Sequence, residues 1–281
     1  MAFWRRGKAS PPVEARLRRR VEDCVDRRSA DAALESAALA DTWQALDAML
    51  HERRKGAALP IGVLADIIVV HRLRATELAC AEDAHAYVAL AVWMYAANGG
   101  VVAPQLRQEV DEAIARGAET DEPTALLRAL QGHASAVRAQ WLKTHDPVLA
   151  ETVVAVFVRL LEHTANEDSA YAMRLLDLAG VTASRSRFMP SDAASDLDDA
   201  IALAERALRH PRITGPAIRR AHKLLGPLLV TRLERDGARA DFDRADKSFS
   251  ALVDLAVDEQ EREQCHRDLI VLHEQYAQWG R

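Results

Sequence analysis

The residues best placed to do chemistry in this chain are acidic. Asp196, Asp198 and Asp199 stand within the run SDLDDAIALAERAL at 195–208, at the head of an apolar helix. Two or three carboxylates on adjacent turns of one helix, facing a cavity, would hold magnesium for a diphosphate, with a second metal-binding set on an opposing helix. These three instead precede or open the helix, where an aspartate accepts from free backbone N–H groups and complements the positive end of the dipole. The same acids recur at Asp241 and Asp243. A structural feature repeats along a chain in this way and a single active centre does not, so the spacing predicts helix starts.

Glu82-x-x-His85 and Glu263-x-x-His266 each have the spacing that places two metal ligands on one helix face, as in carboxylate-bridged di-iron bundles. They fall in separate helical hairpins far apart in the chain, which argues against one shared centre. His266 and His273, seven apart on one face, read as polar surface or a satisfied core pair. Cys265 and His266 are adjacent on a helix, which splays their side chains by about 100° and defeats a thiolate–imidazole pair. No Gly-rich phosphate loop and no nucleophile elbow is present. A pocket for a small molecule, if the chain were a helical enzyme, would lie among the apolar N-terminal helices around Trp43, His71, His85, Trp93 and Tyr95, residue types more often found in cores. No catalytic residue, no metal and no cofactor is expected.

The elements that position these residues are helices. Apolar residues recur at three and four nearly throughout, and the chain is rich in Ala, Leu, Arg, Asp and Glu, with 12 Gly and 10 Pro in 281 residues. Turn signals at Lys55-Gly56, Asn98-Gly99-Gly100, Gly117 to Pro123, His145-Asp146-Pro147, Met189-Pro190-Ser191, His210-Pro211 and Asp236-Gly237 divide it into about a dozen helices. The predicted spans are 12–29, 31–54, 61–80, 83–97, 103–117, 122–144, 147–164, 167–187, 195–209, 215–235, 240–256 and 258–278. Short turns between them favour antiparallel neighbours. The longest apolar runs, Ile61 to Val70 and Tyr87 to Ala97, are too short to span a membrane.

Charge and cysteine content narrow the partners. The net charge is −5, so no overall field draws the chain to nucleic acid. Residues 1–30 are the exception: nine Arg and Lys against four acids give +5, which leaves −10 for the remainder. The basic stretch Val13 to Arg28 carries interspersed acids at helical spacing and reads as a solvated first helix. Ala2 to Pro12 before it reads as a disordered tail. Cys24, Cys80 and Cys265 have no paired spacing, which fits a reducing cytoplasm.

Residues 195–208 align with Ala240 to Phe249 and beyond at an offset of 45, with Asp196 on Asp241, Leu197 on Phe242, Asp198 on Asp243 and Ala200 on Ala245. A fainter copy begins at Pro147, and Arg138, Arg187 and Arg232 occupy corresponding places before each acidic helix start. Such a period, two helices long, is the signature of an α-solenoid. Ala200-x3-Ala204-x2-Ala207 followed by Pro211, and Ala245-x3-Phe249-x2-Leu252, resemble the second helix of a tetratricopeptide repeat. His222-x2-Leu225-Gly226-x2-Leu229 resembles its first helix without the aromatics, lengthened by about two turns. The junction Glu234-Arg235-Asp236-Gly237-Ala238-Arg239-Ala240-Asp241-Phe242-Asp243-Arg244-Ala245 is similar to those of the long-repeat arrays that actinobacterial proteins carry beside caspase-like CHAT domains. The resemblance extends over about residues 120 to 256, and no His-Gly and Cys pair stands where that protease would need it.

An all-α solenoid of antiparallel, tetratricopeptide-like hairpins is therefore expected. Divergent N-terminal hairpins would occupy 13–120, and tetratricopeptide-like repeats with a C-terminal capping helix 121–281. The resemblance implies a non-catalytic scaffold that binds a protein or peptide on its concave face, and it turns Arg219, Arg220, Lys223 and Val230 toward that groove. Three cations there favour an acidic segment. Self-association is compatible with such an array.

Overall fold

The computed structural model describes residues 12–189 and 192–279. The expected disordered tail lies outside them except for Pro12, as do the last two residues of the turn at Met189-Pro190-Ser191. Among the described residues every regular element is helical. The helices are α1 (Val13–Arg27), α2 (Asp31–Leu34), α3 (Ser36–Arg54), α4 (Ile61–Leu78), α5 (Ala81–Ala97), α6 (Arg107–Ala115), α7 (Glu122–Thr144), α8 (Pro147–Glu162), α9 (Tyr171–Phe188), α10 (Ala193–Leu208), α11 (Gly215–Asp236), α12 (Arg239–Asp254) and α13 (Glu259–Trp279), with a single 3-10 turn at Pro104–Leu106. None of the described helices is long and apolar enough to cross a membrane. The chain divides into two compact units, Met1–Val156 and Phe157–Arg281.

In the first unit α5 packs against α4, α6 and α7, while α1 packs against α2, α3 and α4. Here the expected single helix over 31–54 is interrupted. Glu35 is extended at φ −62°, ψ 144°, so α2 stops and α3 restarts. The interruption deprives the carbonyls just before it of helical donors, and two arginines supply the loss. Arg20 Nη1 donates to the Ala32 carbonyl at 3.2 Å, and Arg74 Nη1 donates to those of Ala33 and Leu34 at 3.2 and 3.1 Å. A planar guanidinium with several fixed donors suits that task better than an ammonium would.

Part of the basic face of α1 is paired with neighbouring helices, while Arg18, Arg19 and Arg27 remain exposed as expected of a solvated helix. Arg16 and Arg20 both bind Asp41 of α3, at 2.7 and 2.9 Å, and Arg18 binds the buried Asp66 of α4 at 2.9 Å. Burial raises the pKa of the Asp66 carboxyl despite the Arg18 charge.

In the second unit each helix packs against its neighbour in sequence, and α9 also meets α11. Leu175, Leu176, Ala179, Leu197, Ile201, Leu225, Leu229 and Phe249 belong to one continuous apolar core. The Phe249 ring sits on Gly226, where an added Cβ would come within 2.8 Å of it. Arg220, early in α11, reaches Met173 and Asp177 near the start of α9, and Arg235 at its far end reaches the Ala194 carbonyl in the first turn of α10 and lines one cleft with Arg187 and Phe188 at the end of α9. The helices α9 and α11 therefore run side by side in the same direction.

Candidate functional site

The aspartates singled out by the repeat do not cap. The helix α10 begins at Ala193, so Asp196 falls in its first turn, buried, and its two oxygens accept from Arg185 Nε and Nη2 at 2.7 and 2.6 Å. Asp241, likewise in the first turn of α12, accepts from Arg232 at 2.8 and 2.6 Å. Asp198 accepts from Arg232 and Arg235 at the surface, and Asp199 is exposed. The capping expectation is thus replaced by buried bidentate ion pairs, each a carboxylate locked to the preceding helix. Of the three recurrent arginines, Arg232 behaves as its position suggested. Arg185 takes the corresponding part on α9, where the sequence offset pointed to Arg187. Arg138 is half-buried on α7. No cluster of three or more His, Cys, Asp or Glu side chains able to hold a metal occurs among the described residues, the two Glu-x-x-His pairs included.

The four residues that the motif register turned toward a groove divide. Arg219 and Lys223 both grip Glu261 of α13 at 2.7 Å, and Arg220 grips Asp177 of α9 at 2.7 Å. The Lys223 ammonium, followed by the Val257 amide and the Arg219 guanidinium, holds the Glu261 carboxyl down at about 2. Val230 packs against the core. Much of the positive charge expected on this face is therefore matched within the chain, and Lys223 also lines a cleft.

That cleft, of about 610 Å³, lies between α9, the start of α10, and α11. Leu197, Leu224, Pro227 and Leu228 form its apolar surface, and Gly180, Ala183 and Ser184 form a low wall on α9. Lys223 stands toward one end and Arg187 and Arg235 toward the other, with no acid among the lining residues. Arg187 is exposed and has no acidic partner among the described residues. Phe188 beside it is 40% exposed. The sequence could have disclosed this lining only through knowledge of which helix lies beside α11.

The first unit holds the other concentration of polar groups. His71 Nδ1 donates to Asp83 at 2.7 Å, and His71 Nε2 and His133 Nδ1 share a hydrogen bond of 2.9 Å. Arg74 Nε lies 3.3 Å from both Asp83 oxygens, and Arg74 Nη2 donates to Gln140 at 3.0 Å. Trp43 stacks on His133 with 5.9 Å between ring centroids. An Asp–His–His line could relay a proton in an open site. Here His71, Arg74, Asp83 and His133 are all at 0% exposure, so no substrate atom reaches them and the network joins α4, α5 and α7 instead. Trp93 is equally buried, while His85 faces a separate cleft of about 720 Å³ between α5, α6 and α7, with Glu82, Arg116, Arg128, Gln131 and Ser135.

No family model, curated protein or solved structure matches the chain.

The network predicts acid sensitivity. Burial, then the nearby charge of His71, holds the His133 imidazole well below its ordinary value, so the folded state keeps it neutral where the unfolded chain would protonate it. Burial favours protonation of Asp83, but the hydrogen bond from His71 and the charges of His71 and Arg74 outweigh it and depress the carboxyl. Both shifts stabilise the fold above the unfolded pKa values and are lost on acidification. His133 acts first, below about pH 6.5, and Asp83 follows below about 3.9. The urea midpoint is expected to fall between pH 7 and 5, and His133→Gln should reduce that slope. A midpoint independent of pH in this window would contradict the buried neutral imidazole.

Proposed function

We propose that the chain is a non-catalytic helical-repeat scaffold, an α-solenoid of tetratricopeptide-like hairpins, which binds an acidic protein or peptide segment in the cleft between α9 and α11. The repeat reading is supported by the recurrence of Asp196 and Asp241 as partners of arginines on the preceding helix, and by the parallel course of α9 and α11. The seat of Phe249 on Gly226 supports it too, since both residues belong to the repeat-like pattern. The observation that carries the binding reading is the cleft itself, with an apolar floor for side chains and the exposed Arg187 on its lining, beside Lys223 and Arg235, which pair with Glu261 and with Asp198 and Asp236 respectively. Apolar pockets with a few convergent charged groups are where ligands gain both affinity and orientation.

Selection of displayed peptides on the whole chain tests this. Acidic, leucine-containing peptides are expected, and their binding should weaken as salt rises toward 1 M, where the Debye length is about 3 Å. Arg187→Glu should reduce binding at least roughly tenfold at low salt and leave the melting temperature nearly unchanged, because that side chain is exposed and has no acidic partner among the described residues. Peptides that bind irrespective of charge reversal and salt would move the surface elsewhere, and the cleft around His85 would be examined first.

A further inference from the structure

The helix α13 has one packed side and one bare side. Cys265 and Leu272 are buried, at 5% and 1% exposure, and Leu269 and Tyr276 pack against the same core. On the opposite side, along one strip, lie Glu263, Arg267, Ile270, Val271, Glu274 and Gln278, all exposed. Charged and amide side chains on such a strip are well solvated. The two aliphatics at its middle are not: Ile270 is 58% exposed and Val271 49%. Both are β-branched, which gives them a lower helix propensity than the Glu, Gln and Arg around them, so the helix itself does not explain them.

The order of residues along the strip is self-complementary. A twofold axis between Ile270 and Val271 lays the strip antiparallel on a second copy of itself. Ile270 then meets Val271 of that copy, Arg267 meets its Glu274, and Glu263 meets its Gln278. Each contact occurs twice, as an isologous interface requires, and no like charges are opposed. Glu274 has no partner among the described residues. Arg267 hydrogen-bonds to Gln264 and stands 3.7 Å from Glu263, contacts within one exposed helix face that hold it weakly.

We infer that α13 is a self-association surface, on which two copies of the chain pair antiparallel with Ile270 and Val271 at the centre and an Arg267 to Glu274 ion pair on either side. The placing of opposite charges at equal distances from the two aliphatics is what selects a second copy as the occupant. The strip runs about 22 Å along the helix and is about 10 Å wide, which falls well short of the ~800 Å² per partner of a standard interface. The dimer is therefore weak, with a Kd on the order of 100 µM.

Sedimentation velocity on the whole 281-residue chain, at concentrations on either side of that value, tests the pairing. The average mass is expected to climb from the 31.0 kDa of one chain toward twice that. Ile270→Asp should raise Kd at least roughly tenfold and leave helicity and melting temperature nearly unchanged, because the side chain is already exposed. Arg267→Glu alone, or Glu274→Arg alone, opposes like charges twice and should weaken association roughly tenfold. The two changes together oppose unlike charges again and should bring Kd back to within about threefold of the parent chain. A chain that stays monomeric throughout overturns the inference. So does association that survives Ile270→Asp, or that the single reversals leave unchanged, or that the double change fails to restore. None of these outcomes depends on whether a peptide occupies the cleft between α9 and α11.

Discussion

Asp83→Ala is expected to destabilise the first unit by about 3–5 kcal/mol, the range seen when one member of a buried ion pair is removed. The substitution leaves Arg74 fully buried, with its charge uncompensated and with only the carbonyls of Ala33 and Leu34 and the amide of Gln140 around it. It also takes the acceptor from His71 Nδ1, so the imidazole chain to His133 loses the group that fixes its tautomer. Removing both charges, as in Asp83→Leu with Arg74→Met, should recover only part of the loss, because the Ala33 and Leu34 carbonyls then have no donor. Urea unfolding followed by circular dichroism measures both variants. A loss under about 1 kcal/mol for Asp83→Ala would mean that water replaces the carboxylate and that the network is not closed to solvent.

Arg232→Ala is expected to cost about 2–4 kcal/mol in the second unit, and Arg185→Ala a similar amount. In each case a bidentate guanidinium is withdrawn from an aspartate that stays buried, Asp241 at 4% exposure and Asp196 at 2%. A helix-capping role for those aspartates would put the corresponding effect lower, at about 0.5–2 kcal/mol, and would leave it insensitive to the arginines. The informative contrast is Arg187→Ala. It removes a side chain of the same type two residues from Arg185 but from the surface of the cleft, and should change stability by no more than about 0.5 kcal/mol while weakening peptide capture. Equal loss from Arg185→Ala and Arg187→Ala, measured by urea midpoints, would refute the assignment of the two roles.

The difference between Arg185 and Arg187 shows where the sequence stops informing. Periodicity of three and four, together with turn residues such as Gly237 and Pro147, determined that the chain is helical and where most helices end, since both are properties of a few neighbouring residues. The recurrence of Asp196 at Asp241 was legible for the same reason. Which arginine meets each aspartate was not, because an 11-residue separation at Asp196 and a 9-residue separation at Asp241 both close across a turn, and helix rotation selects between them. The interruption at Glu35 was equally hidden: residues 31–54 carry no helix breaker, and the break is held by Arg20 and Arg74 from other helices. The charge of the face around Arg219 and Lys223 depended on Glu261, 42 residues beyond Arg219. His71 was visible as a polar residue on an apolar helix, whereas its line through Asp83 and His133 joins residues 62 apart. Local physical chemistry thus determined the elements, and the tertiary packing alone decided which charges cancel, which are sealed from water and which remain to line a cleft. A Coulombic or hydrogen-bonded partner is defined by distance in space, and the sequence records only distance along the chain.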